Sequence, residues 1–211
     1  RDYSIDDETI REYFPADVVM AGLFEVYSKI LGVEYQIVND IETWAPDVKL
    51  YRILNKSNHN LIGYFFADFV PRDGKYGHAA AFTLITGRLL DNGKYSVPVS
   101  SIVSNFTPPS NGKPSLLTHD EVETLFHEFG HIMHQTLTKA PFASISGSNT
   151  SQDFVEAPSQ MLENWVWTPE ILNMVSGLYT DTSKKLPAEL IAKMIAAKNF
   201  NQGYFYSRQL V

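Results

Sequence analysis

The chain has 211 residues, 44% hydrophobic and 19% charged, the balance of an ordinary globular protein long enough for one large domain or two small ones. A formal net charge of −7 argues against nucleic acid or an anionic membrane surface as the main partner. With no cysteine there is no disulfide, thiol nucleophile or thiolate metal site, so any metal must be held by histidines and carboxylates.

Taken in order, Asp6-Asp7-Glu8 followed by Ile10 and Tyr13 predicts a short helix. Pro15 opens a longer one that buries Val18, Val19, Leu23, Phe24, Val26, Tyr27, Ile30 and Leu31 and ends at Gly32. Strands are expected at Tyr35–Val38, Val48–Leu54, Leu61–Val70, His78–Ile85 and Tyr95–Phe106, with a tight turn at Asp91-Asn-Gly93. His59 reads as a solvated loop residue, and Pro98 implies an edge position or a bulge in the last strand. Together these predict a mostly antiparallel meander, with no internal repeat.

A helical run follows from Leu116 to Leu137. Thr118 and Glu121 form a capping box, and Val122, Leu125, Phe126, Phe129, Ile132 and Met133 make one apolar stripe. His127-Glu128-Phe129-Gly130-His131 lies within it, the two imidazoles opposite the stripe. Histidines four apart on a helix point the same way and can share one metal, while the glutamate between them can reach a water beside it; this is the pattern of zinc peptidases. Three protein ligands and one open position make a catalytic zinc site, so a third ligand is needed. Glu156, on the next helix, is the first choice, with Glu121, Glu123 and Asp153 as alternatives.

Residues Pro141–Thr150 are small and polar and suggest a mobile loop. Ser151 or Asp153 is expected to cap a helix over Phe154–Trp167, with Pro158 in its first turn or so or at a local distortion. Pro169–Tyr179 and Pro187–Val211 read as helical, with Tyr204 and Tyr206 facing the core. Both ends of the chain look cut, as in a fragment of something longer.

The run His127–His134 followed by Asp153–Trp165 closely resembles the thimet oligopeptidase, oligopeptidase A and neurolysin family of zinc metallopeptidases. The likeness extends to Arg72–Ala79, Asn105–Thr107 and Pro114–Glu123, and so to nearly the whole chain. It implies an α+β, zincin-like catalytic domain over residues 1–211, acting on short peptides in a deep channel. It also implies one Zn²⁺ held by His127, His131 and Glu156, with Glu128 as catalytic base. The family's later His- and Tyr-containing segment, which binds substrate and the oxyanion, lies beyond residue 211.

In the wider group an aspartate four residues after the glutamate ligand orients a histidine; here that place is Gln160. Gln160, His134 and Glu163 are therefore candidates for supporting the ligands. Substrate is expected to lie along an edge strand at His78–Phe82, with His78, Ala79 and Ala80 as contacts. A monomer is expected, without nucleic-acid or membrane partners. No apolar run spans a membrane and no signal pattern is present, so the expected location is cytoplasmic, or mitochondrial if a transit peptide has been removed. The competing readings are a zinc- and peptide-binding piece that is catalytically incomplete, and a dipeptidyl carboxypeptidase.

Overall fold

The computed structural model describes residues 6–110, 112–198, 200 and 202–209. After α1 (Asp7–Arg11), capped by Asp6, the chain enters α2 (Ala16–Leu31) behind Pro15. Gly32 ends α2 with φ of 65°, a left-handed cap that costs glycine nothing.

Five strands follow: β1 (Val33–Val38), β2 (Lys49–Asn55), β3 (Leu61–Asp68), β4 (Ala80–Ile85) and β5 (Val99–Val103). Their order in the sheet is β1-β2-β3-β5-β4, with β3 and β5 parallel and every other pair antiparallel. This corrects the expected meander. The loop after β3 carries the chain past the sheet edge, β4 forms the outer strand, and β5 returns into the gap. Pro98 thus precedes a central strand; its carbonyl accepts from the Tyr64 amide at 3.0 Å, so its missing N–H is not needed.

Two helices cover one face of the sheet: α2 and the metal-motif helix α3 (His119–Leu137). Phe24, Tyr27, Tyr35, Tyr51, Phe65 and Phe129 interlock there with ring centroids 4.5–6.2 Å apart. The buried Tyr27 hydroxyl donates to the Phe126 carbonyl at 2.7 Å, so its polar end is satisfied inside the core.

The segment expected to be mobile is instead pinned. Ser146 Oγ donates to the Gly87 carbonyl at 2.6 Å, Gln135 Nε2 donates to Ser148, and Gly147 lies against the Gln135 backbone. Neither Ser151 nor Asp153 caps the next helix with its side chain. That helix, α4 (Ala157–Glu163), is shorter than expected and passes into a 3₁₀ turn at Asn164–Trp167.

The C-terminal third holds α5 (Pro169–Val175), α6 (Ala188–Lys198) and α7 (Gln202–Gln209) rather than two longer helices. The first stops early because the Gly177 amide donates to the Tyr13 carbonyl and Gly177 packs on Thr182. Tyr204 and Tyr206 are exposed, not core.

Candidate metal centre

The capping box fixes where α3 begins: Thr118 Oγ1 accepts from the Glu121 amide, and Glu121 accepts from the Thr118 amide at 2.7 Å. The whole predicted stripe is at most 3% exposed. His127 and His131 consequently sit on the side away from the sheet, one turn apart.

The fold then brings α4 back along that side in the opposite direction, Glu156 meeting His131 while Trp167 meets Glu123. Close approach depends on Gly130. A Cβ there would lie 2.8 Å from Ser159 Cα, so any side chain would push the helices apart. Glycine inside a helix costs up to about 1 kcal/mol relative to alanine, and this contact is the reason it is kept.

Glu156 occupies the N-cap position of α4 without capping it. Its carboxylate turns to the imidazoles and accepts from Ser159 Oγ at 2.9 Å. Three atoms converge as a result: His127 Nε2 and His131 Nε2 stand 3.2 Å apart, and Glu156 Oε2 is 3.1 Å from each. Donors around a tetrahedral zinc are about 3.3 Å from one another, so the triangle has the size one ion requires.

The donor chemistry agrees. His127 Nδ1 donates to Glu163 Oε2 at 2.7 Å, which leaves a lone pair on Nε2 inside the triangle. Burial holds the His131 pKa below its usual value, which favours the neutral ring that can offer a metal a lone pair. Burial opposes ionisation of Glu156, but its pKa stays below the usual value, with the hydrogen bond from Ser159 favouring the ionised carboxylate. Facing lone pairs and a carboxylate repel unless a cation lies between them. Two imidazoles and a carboxylate suit zinc and neighbouring transition metals rather than calcium or magnesium.

Glu128 projects beside this triangle. Burial raises its pKa, opposed by His127 and by a hydrogen bond donated by the Ala81 amide. Ala81 lies on β4, and its outward amide means that alternate residues of this edge strand, Ala81 and Thr83, present backbone groups to the cleft. Ala80, picked from the sequence, is the alternate residue that faces β5.

The other sequence candidates are distributed unevenly. Glu163, not Gln160, reaches His127: Gln160 is exposed, its backbone amide donating to the Glu156 carbonyl and its own carbonyl accepting from Asn164. Four and seven residues after Glu156, the two side chains leave α4 in different directions, and the crossing at Gly130 decides which faces α3. His134 lies a turn beyond the triangle with a buried, unpartnered Nδ1. His78 is exposed, 5.8 Å ring to ring from Tyr76, and Ala79 is half-buried beside β4. Of the alternative ligands, Glu121 is spent in the cap, Glu123 accepts from Trp167 and Asp153 is exposed. Sequence reasoning missed Ser159 and covered Ala81 only as part of the expected edge strand His78–Phe82, without singling it out. The i+3 spacing of a hydroxyl after Glu156 was a signal for the first; nothing local signals the second.

Among the described residues His119, Asp120 and Glu123 are also close enough to share a cation. That group does not fit one, because the Trp167 N–H already holds Glu123 and the Lys198 ammonium lies 4.5 Å over the Trp167 ring.

The profile of Peptidase family M3 matches residues 1–211. The chain belongs to that family. M3 relatives include a thimet-like oligopeptidase of Dictyostelium discoideum, 46% identical over 100% of this chain and 32% of its own length. Oligopeptidase A of Escherichia coli (strain K12) is 44% identical over 99% of this chain and 30% of its own. A dipeptidyl carboxypeptidase of Salmonella typhimurium matches at 34% over 96% of this chain and 29% of its own. The chain thus spans about a third of the length of the M3 proteins it matches. Among the described residues no helix is long and apolar enough to cross a membrane.

Proposed function

We propose that the chain carries the catalytic centre of a zinc-dependent oligopeptidase that hydrolyses internal bonds of short peptides. The observation that supports this most is the 3.1–3.2 Å triangle of His127, His131 and Glu156 beside a half-buried glutamate. The three residues hold the ion, and Glu163 orients His127. A zinc ion there supplies Lewis acidity, polarising the scissile carbonyl and making a water more acidic.

The chain's own groups do the rest. The peptide lies extended along β4, pairing with the outward carbonyl of Ala81 and the outward backbone groups of Thr83, which favours tolerance of side chains. Glu128 takes the proton of the attacking water at its carboxylate and passes it to the departing amine nitrogen.

Glu128→Gln tests this. Zinc should stay bound, by metal analysis, while peptide turnover falls by about 10²–10⁴; undiminished hydrolysis would remove Glu128 from the mechanism. A second reading, dipeptidyl carboxypeptidase action, draws on the Salmonella relative. Peptides amidated at the C-terminus separate the two, since an endopeptidase cleaves them and a carboxypeptidase does not. A third, a centre that binds zinc and peptide but turns over slowly without further chain, draws on the one-third span. Comparing this chain with its full-length form decides it.

A further inference from the structure

One side of α3 carries polar residues at every fourth position: His119, Glu123, His127 and His131. Each meets a group on the segment Glu156–Trp167, which runs the other way. His131 and His127 face Glu156, and His127 also holds Glu163. Further from the triangle, Trp167 Nε1 donates to Glu123 at 2.7 Å, and His119 Nε2 donates to the Val166 carbonyl at 3.0 Å. A carbonyl can only accept, so the Nε2–H tautomer is fixed. The His119 ring stands edge-on to Trp167 with centroids 4.2 Å apart. The Lys198 ammonium lies 4.5 Å over the Trp167 ring and also donates to Asn164 Oδ1 at 3.1 Å.

The outer half of this polar seam touches none of the three converging atoms, yet it holds the 3₁₀ turn that begins one residue after Glu163. Such a turn has poor hydrogen-bond geometry, and α4 is seven residues long, too short to be stiff alone. Something must fix its far end if a carboxylate is to stay 2.7 Å from an imidazole.

We propose that Trp167 and Glu123 are positioning residues for the metal centre: their hydrogen bond, propped by His119, sets where Glu163 holds His127 and so tunes zinc affinity from a distance. The proposal rests on the reading of the triangle as a zinc site. Losing the indole N–H frees the turn, lets the Glu163 carboxylate wander, and leaves His127 less well oriented toward the ion. Partners that orient a ligand are worth 10–100-fold in metal affinity, and a group acting through such a partner belongs at the low end.

The test is zinc affinity by competition with a chromophoric chelator, together with thermal unfolding of the zinc-free forms. Trp167→Phe, which removes the donor and keeps the ring, should weaken zinc about 10-fold. Glu123→Ala should do the same, while Glu123→Gln, which keeps an acceptor, should restore parental affinity. In a Glu163→Ala background Trp167→Phe should add less than about 2-fold, because the two act on one ligand. Parental zinc affinity in Trp167→Phe, or independent multiplication of the Trp167 and Glu163 effects, would overturn the proposal and leave the zinc reading intact. A parent protein that takes up no zinc would overturn both.

Discussion

A single hydrogen atom in the place of a side chain decides how near the two halves of the centre can come. Gly130→Ala gains up to about 1 kcal/mol of helix propensity but sets a methyl 2.8 Å from the Ser159 backbone. Overpacking of that kind costs about 1–3 kcal/mol, so the net effect is a lower melting temperature. Zinc affinity should fall further, by about 10-fold or more, since Glu156 and Glu163 retreat together; calorimetry and chelator competition read the two effects separately. The histidine pair and Glu128 are legible in the sequence because helical spacing alone sets their directions. Gln160 against Glu163 is not, since that choice depends on the angle and depth at which α4 crosses α3.

At the level of elements, β4 is the exposed edge beside the triangle, and its outward backbone groups are available to an extended peptide. Thr83→Pro removes one outward N–H without taking a donor from the ladder with β5. Stability should change little, while KM for peptides rises by about 10-fold, the worth of one lost hydrogen bond; a KM equal to the parent's would mean that substrate does not pair there. Strand existence was readable from alternation and turn residues. Strand order was not, because the loop that carries β4 past the gap is held by contacts that no local pattern displays. Gln135, Ser146 and Gly147 teach the same lesson: a small, polar loop reads as mobile until partners distant in sequence pin it.

Across the whole molecule, the far end of β3 is tied down by a buried ion cluster. Asp68, 3% exposed, accepts from both Arg72 Nη atoms at 2.7 Å and from Trp44 at 2.9 Å, and pairs with Lys75 at 2.9 Å. The Lys75 ammonium also donates to the carbonyls of Asp68, Val70 and Ser104, joining β3 to the end of β5. Burial opposes the charge on Asp68, but these bonds win and bring its pKa down to about 2. A carboxyl depressed from about 3.9 in the unfolded chain contributes on the order of 2.5 kcal/mol above about pH 4, lost as pH falls through about 2. Asp68→Asn should therefore flatten the acid limb of the stability curve between pH 4 and 2 and destabilise the protein at neutral pH by about 3 kcal/mol. Urea denaturation at several pH values would show both.

The strand order also dictates a sequence of construction. A ribosome delivers β4 before β5, yet among the described residues the strand that pairs with β4 is β5, which itself pairs with β3 on its other side. The early hairpins can close as they emerge, while the wall of the groove waits for residues made later. The groove wall formed by β4 is therefore complete only once β5 has been made, shortly before the chain reaches α3.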